Sequence, residues 1–172
     1  MEKMIFKLRK IGDAINEVSR ASLAIITLAL CVAVIGQLFA RWFSFTLSWA
    51  SEFACLIFVW QTMLGSAVAS RHLLHIGVDM LVNALHGKVK KAMLIIANVV
   101  LLIGLGIFTY SSAVYTLGQI DHFATSFHMS LAWFYASLPI SGIIMIFYTV
   151  IQMLEVIHYG DVVRIPLPGT EE

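Results

Sequence analysis

Four long uncharged apolar stretches dominate this sequence and determine the solvent in which the chain can fold. They cover residues 21–40, 53–70, 92–120 and 123–154 of the 172 residues. A helix needs about 20 mostly apolar residues to cross a hydrocarbon core of roughly 30 Å. Each stretch reaches that length once residues 49–51 are added to the second. The hydrophobic content of 60% and the mean hydropathy of +0.90 agree with an integral membrane protein.

The sequence predicts an all-α membrane domain with four transmembrane helices near residues 21–41, 49–70, 92–116 and 131–157. Helices are expected because hydrocarbon leaves no water to satisfy backbone hydrogen bonds. Outer-membrane strands would alternate apolar and polar residues, and these stretches do not alternate. The first stretch is predicted to be retained and not cleaved as a signal peptide. It is about twice a usual signal core, and Arg41 and Trp42 follow it where small residues would be cleaved.

The distribution of basic residues predicts that both termini lie in the cytoplasm. Ten of the eleven lysines and arginines fall before the first span, between the second and third spans, or after the fourth. Arg41 is the exception. Because basic loops remain on the cytoplasmic side, residues 71–91 are predicted to form a cytoplasmic loop. Trp49 and Trp133 then mark the opposite interface, where aromatic residues are enriched.

Residues 3–20 are predicted to form an amphipathic helix on the cytoplasmic surface. At 100° per residue, one face carries apolar side chains and the other mostly polar ones. Such a helix buries its apolar face at the headgroup boundary and attracts anionic phospholipid, which is therefore a predicted partner. The alternative is a disordered basic tail that only sets the topology. The apolar set consists of Met4, Ile5, Leu8, Ile11, Ile15 and Val18.

Glu52 is predicted to be the one carboxylate within a span, near the outer end of the second helix. An ionisable group at that depth is a functional candidate, because burying it without a partner is costly. Three interpretations remain open. Glu52 can be hydrated at headgroup depth, it can pair with Arg41 or with a partner protein, or it can couple transport to protons or ions. We favour the structural interpretations.

The remaining polar residues predict no catalytic, metal or cofactor site and no nucleic-acid surface. None of the six histidines lies in the middle of a span, and Cys31 and Cys55 form no C-x-x-C pair. The first three spans lack proline, and no inverted repeat is visible, so a complete transporter is not expected. The sequence therefore predicts a scaffold or accessory subunit that is not an enzyme. The alternatives are a small membrane redox or metal-binding protein using His72, His75 or the outer-loop histidines His122 and His128, or an autonomous exporter using Glu52.

The second span and its cytoplasmic exit resemble one family of membrane proteins. The span opens with Trp49-Ala-Ser-Glu52 and continues through Phe58-Val-Trp60 to a small-residue run at 65–69. The exit, Ser70-Arg-His-Leu-Leu-His-Ile-Gly-Val-Asp79, has the arginine, histidine and aspartate spacing of that family. The chain is similar, over roughly residues 15–160, to the small DctQ-type membrane subunit of tripartite ATP-independent periplasmic (TRAP) transporters. The specific part of the resemblance is residues 41–85.

The resemblance implies a partner and a task. In this family a separate large membrane subunit carries the substrate and sodium sites and moves as an elevator, while the small subunit anchors the scaffold in the bacterial inner membrane. A periplasmic binding protein delivers an organic acid, such as a C4-dicarboxylate or sialic acid. The resemblance implies that Arg71 and Asp79 shape the cytoplasmic turn, that Arg71 can also reach lipid phosphate or a partner's helix end, and that Glu52 organises the outer interface. The residues expected at structural, partner or lipid interfaces, and not at a substrate site, are Arg41, Trp49, Glu52, Arg71, His75 and Asp79.

Overall fold

The four predicted membrane helices are present in the structure, a computed structural model that describes residues 2–43, 48–73, 88–126 and 128–159. Four of its helices are long and apolar enough to cross a membrane, which confirms the all-α membrane fold. The fourth span contains both α4 and α5, which only Ala136 separates. The helices are α1 Glu2–Trp42, α2 Ser48–Leu73, α3 Lys88–Gly118, α4 Ala132–Tyr135 and α5 Ser137–Tyr159.

Helix α1 joins the predicted surface segment and the first span into one uninterrupted helix of 41 residues. At 1.5 Å per residue it is about 60 Å long, twice the thickness of a hydrocarbon core. Its N-terminal part packs against the other helices, since Ile5 and Asn16 are buried and the Tyr148 hydroxyl donates to the Gly12 carbonyl. Residues 3–20 are thus helical from Lys3 onward, as predicted, whereas their position on a membrane surface stays a prediction.

Spans that follow one another in the chain run antiparallel, whereas α2 and α5, which also pack together, run parallel. The described residues form few side-chain hydrogen bonds between helices. The Gln37 amide donates to the Ser51 hydroxyl at 3.0 Å between α1 and α2. Between α3 and α5, the Lys91 ammonium donates to the Ile157 carbonyl at 2.7 Å. We call the end formed by residues 41–43, 48–52, 119–126 and 128–135 the turn end. The opposite end, formed by residues 2–13, 70–73, 88–91 and 155–159, is the termini end.

Pro139 explains why the fourth span divides into α4 and α5. Proline has no backbone N–H, so the carbonyl four residues earlier, that of Tyr135, loses its helical partner. The Thr116 hydroxyl of α3 lies 3.1 Å from that carbonyl oxygen and also lies within hydrogen-bond distance of its own helix at the Ser112 carbonyl. A helix break in one span is therefore compensated by a hydroxyl from the neighbouring span, as is common for prolines in membrane helices.

The interior of the bundle is rich in small and polar residues, while large apolar side chains cover the outside. Ile25, Val100 and Ile103 are among the exposed ones. This distribution suits a hydrocarbon solvent, where helices associate through small residues and polar contacts. Many interior hydroxyls donate to a carbonyl of their own helix, as Ser141 does to Ser137. Among the residues whose side chains are described, the buried polar ones are Asn16, Ser19, Ser70, Asn98, Ser112, Ser137, Ser141, Thr149, Gln152 and Glu155.

Glu155 corrects the prediction that Glu52 is the one carboxylate within a span. The fourth span continues to His158, and Glu155 lies inside it with only 5% of its surface exposed. The uncharged apolar stretch of the sequence ends at Leu154, immediately before this residue. The predicted span of residues 131–157 already contained Glu155, although only Glu52 was singled out. Helix α5 packs along α3 in this region, where Lys91 reaches the Ile157 carbonyl.

Candidate functional site

Glu52 connects helix α2 to the loop between the third and fourth spans at the turn end. Its two carboxylate oxygens accept hydrogen bonds from the backbone N–H groups of Thr125 and Ser126, both at 2.7 Å. Two successive amide groups facing one carboxylate form a small anion-binding arrangement, and hydrogen bonds to an ionised acceptor are stronger than neutral ones. Glu52 therefore anchors a loop that lies 73 residues further along the chain.

The loop that Glu52 anchors lies within residues 119–131, and its described residues, 119–126 and 128–131, fold back as a short hairpin. The Ala124 N–H donates to the Met129 carbonyl at 3.0 Å, and the Leu131 N–H donates to the His122 carbonyl at 2.8 Å. These bonds place the amide groups at the hairpin tip next to α2. The Ser130 hydroxyl lies 2.8 Å from the Ile120 carbonyl and closes the base of the hairpin.

A small apolar cluster lies beneath the Glu52 contact and holds the hairpin against α2. Leu56 of α2, Ala124 of the hairpin and Phe134 of α4 are buried together. Trp60 packs against them, and its indole N–H donates to the Trp133 carbonyl at 3.2 Å. The polar contact and the apolar cluster thus join α2, the hairpin and the start of the fourth span.

Arg41 and Trp49, the other two residues predicted at the turn end, are exposed. Arg41 forms no ion pair with Glu52, although the structure describes both side chains. Pairing across the short turn was one interpretation of the sequence, and the structure instead places Glu52 against the hairpin of its own chain. Trp49 is exposed one turn before Glu52, where an aromatic side chain suits the membrane interface.

Arg71 forms the polar contact at the termini end. One terminal guanidinium nitrogen donates to an Asp13 carboxylate oxygen at 2.7 Å, and only 6% of the Arg71 side chain is exposed. The guanidinium carbon lies 5.3 Å from the centre of the Tyr148 ring, within the range of a cation–π interaction. Tyr148 in turn donates to the Gly12 carbonyl of α1 at 3.4 Å. These contacts join α1, α2 and α5.

Arg71 has internal partners that the sequence did not suggest. Its guanidinium is engaged by Asp13 and Tyr148 of the same chain, and its predicted contacts with lipid phosphate or a partner's helix end stay predictions. His75 and Asp79 lie outside the described residues, so their roles stay predictions. A buried guanidinium without a carboxylate is strongly unfavourable, which makes Asp13 a requirement for the observed position of Arg71.

Asp13 and Tyr148 are site residues that the sequence did not reveal. Asp13 was assigned to the polar, water-facing side of an amphipathic helix, and its side chain is in fact 55% exposed while it contacts Arg71. Its only sequence signal was an acidic residue among basic neighbours. Tyr148 gave no signal, because a single tyrosine in an apolar stretch is common.

The described residues contain no group of three or more His, Cys, Asp or Glu side chains that could hold a metal ion. His122 and His128 are exposed in the hairpin, and Cys31 and Cys55 are free and exposed on the helix surfaces. In these parts of the chain, the charged residues Glu52 and Arg71 have a structural role. Each joins α2 to a segment that is distant in the sequence.

Comparison with known proteins identifies the family. The family described as tripartite ATP-independent periplasmic transporters, DctQ component, matches residues 30–158. That range is 129 of the 172 residues and includes Glu52 and Arg71. The chain belongs to the DctQ family. The resemblance read from the second span is confirmed: the protein is a small TRAP transporter subunit and a multi-pass protein of the bacterial inner membrane. Its family is a transporter family and not an enzyme class.

Two relatives extend this comparison. The chain is 31% identical over 127 residues to the sialic acid TRAP transporter permease protein SiaT of Haemophilus influenzae. The aligned region covers 70% of this chain and 20% of that protein. The chain therefore spans about a fifth of that relative's length. It is 26% identical over 147 residues to the sialic acid TRAP transporter small permease protein SiaQ of Vibrio cholerae, covering 81% of this chain and 80% of SiaQ.

We predict that Glu52→Gln loosens the hairpin of residues 119–131 without unfolding the helices. The amide side chain keeps one acceptor oxygen, but its NH₂ group then faces a backbone N–H, so one of the two hydrogen bonds is lost. Hydrogen exchange measured by mass spectrometry should become several-fold faster in this hairpin and remain unchanged in α3. Glu17→Gln, which removes an exposed carboxylate from α1, is the matched control. Unchanged exchange in the hairpin would show that Glu52 does not anchor it.

We also predict that Asp13→Asn destabilises the protein more than Arg71→Met does. Asp13→Asn leaves a buried guanidinium without a counter-charge, whereas Arg71→Met fills a similar volume and leaves a carboxylate that water can reach. The expected loss for Asp13→Asn is about 1–3 kcal/mol of unfolding free energy. Thermal unfolding in detergent measures it. Glu17→Gln breaks the exposed pair with Arg20 and should be nearly neutral. The reverse order of the two variants would contradict a buried ion pair.

Proposed function

We propose that this chain is the scaffold subunit of a sodium-coupled importer of an organic acid. It pairs with a separate large membrane subunit, which holds the substrate and sodium sites and moves against it. The observation that carries the proposal is the DctQ match over residues 30–158. A stretch similar to this chain makes up a fifth of the longer permease protein SiaT, which supports association with a larger membrane protein.

The polar groups of this chain support a structural task over solute binding. Glu52 is engaged by two backbone amides and Arg71 by Asp13 and Tyr148. Glu155 also interacts within the chain. A binding site for an anionic solute needs donors that point into an accessible cavity. The described interior hydroxyls that donate to carbonyls of their own span, such as those of Ser137 and Ser141, do not supply them.

Sialic acid is the first substrate to test. Both relatives carry sialic acid in their names, and a C4-dicarboxylate is the second candidate for a transporter of this kind. We propose that the choice between them lies with the large subunit and with a periplasmic binding protein that delivers the acid. The small subunit supplies the fixed frame in the membrane, against which the large subunit moves.

We further propose that the turn end faces the periplasm and that both termini lie in the cytoplasm. The basic residues support this orientation, since Arg41 is the one Lys or Arg on the turn side of the spans. In a variant whose two cysteines are replaced by alanine, Asp121→Cys should react in whole cells with a reagent that does not cross the membrane. Lys90→Cys should react only after the cells are opened. The opposite pattern would contradict the orientation.

Reconstitution tests the scaffold assignment. In liposomes with a sodium gradient, this chain together with the large subunit and the loaded binding protein should take up sialic acid. The chain alone should take up none, and the large subunit without it should lose most of its uptake. Uptake by the chain alone would instead support an autonomous transporter. Full uptake by the large subunit and the binding protein without this chain would contradict the scaffold role.

A further inference from the structure

An apolar groove opens between α1, α2 and α5. Its volume is about 430 Å³, and Ile15 and Val18 of α1, Trp60 and Leu64 of α2 and Ile144 of α5 contribute to its walls. The groove is open at the side, where Val18 is 68% exposed. An unfilled gap of this kind forfeits the dispersion contacts of every atom that lines it. In a bilayer, the apolar groups that can enter from the side are lipid acyl chains or side chains of another protein.

The depth of the groove matches one leaflet of a bilayer. The Asp13–Arg71 pair marks the termini end, because a charged pair belongs at the membrane boundary. Along α1 the lining residues Ala14 to Ser22 lie about 1.5–14 Å inward from Asp13, and along α2 Trp60 lies about 16 Å inward from Arg71. Half of a hydrocarbon core is roughly 15 Å. The groove thus begins just below the boundary and ends near the bilayer centre.

The mouth of the groove is basic. Lys7 lies eleven residues before Val18, which is three helical turns along nearly the same face of α1. Arg9 and Lys10 lie close to Lys7 in the sequence of α1. Neither Lys7 nor Lys10 forms an ion pair with a residue that the structure describes, and the nearby carboxylate of Asp13 is engaged by Arg71. An anionic group at the mouth would therefore meet uncompensated positive charge.

We propose that the groove binds one acyl chain of an anionic phospholipid, whose phosphate lies against Lys7 and Lys10. The apolar walls, the one-leaflet depth and the basic mouth each match one part of such a molecule. The bound chain would fill the space between α1 and the α2–α5 pair and so hold α1 at its observed distance. This inference requires only that the chain spans a membrane, so it does not depend on the proposed scaffold function.

Trp60 provides a direct probe, because its ring lines the groove. In the full-length chain with Trp42, Trp49 and Trp133 changed to Phe, Trp60 is the only tryptophan. Its fluorescence is measured in vesicles that contain increasing fractions of phosphatidylglycerol or phosphatidylcholine with brominated acyl chains. We expect half-maximal quenching at a severalfold lower fraction of brominated phosphatidylglycerol. Lys7→Gln should reduce that preference by about fivefold, which corresponds to about 1 kcal/mol for one surface lysine.

Variants of the groove distinguish specific binding from general contact with lipid. Ala14→Phe places a ring in the groove and should remove the preference, whereas Val34→Phe adds the same ring to an exposed part of α1 and should preserve it. Equal quenching by the two lipids, or an unchanged preference in Ala14→Phe, would overturn the proposal. Absence of quenching would mean that protein closes the groove, which also overturns it.

Cross-linking in the cell identifies the occupant in the assembled complex. A photoreactive residue in place of Ile15, which lines the groove, should yield adducts with the mass of phosphatidylglycerol or cardiolipin. Adducts only with another membrane protein would overturn the proposal in favour of a protein-filled groove. Because neither measurement involves uptake, failure of the lipid proposal and failure of the scaffold proposal are distinguishable.

Discussion

The hydrocarbon solvent removes both water and the usual hydrophobic attraction between helices, and the rest of this structure follows from that constraint. Each span must satisfy its own backbone hydrogen bonds, so the four helices form independently of one another. Their association then depends on close packing and on a few polar contacts. The close packing is visible where α5 passes α3 at Gly142, where an added side-chain carbon would press on the Thr109 hydroxyl. The polar contacts are concentrated near the two membrane boundaries, where charged groups can keep partial access to water.

Helix α2 holds a central place in this arrangement because it carries a charged contact at each boundary. Glu52 and Arg71 are nineteen residues apart, a separation of about 29 Å in a helix, which matches a hydrocarbon core of roughly 30 Å. Glu52 holds the hairpin that leads into the fourth span, and Arg71 holds α1 and α5. A single helix thereby fixes the position of segments that lie before and after it in the chain. Such a frame suits a subunit against which another protein moves.

The sequence predicted the helices well and their contacts poorly, for a physical reason. Hydropathy determines which segments cross a membrane, so the four spans could be placed to within a few residues, apart from the continuation of α1. The partner of Glu52 could not be predicted, because backbone amides of a loop 73 residues away carry no sequence signature. Asp13 lies 58 residues from Arg71 and is one of ten acidic residues in the sequence, so no pattern singles it out as the partner. Glu155 lies inside the predicted span of residues 131–157 but was not singled out, because it follows the uncharged stretch that ends at Leu154. Its burial comes from packing against other helices, which hydropathy does not report.

Helix α1 shows that an amphipathic pattern specifies two faces but not which face is buried. In water, the apolar face of residues 3–20 would be the buried one. In the bundle the buried positions are Ile5, Gly12, Asn16 and Ser19, which lie along the border between the two faces, while Ile11 and Val18 of the apolar set are exposed. Arg71 contributes to this orientation, because its buried charge pairs with Asp13 at the edge of that buried stripe. The orientation of this segment therefore depends on its contacts with the other helices, and not on the pattern of α1 alone.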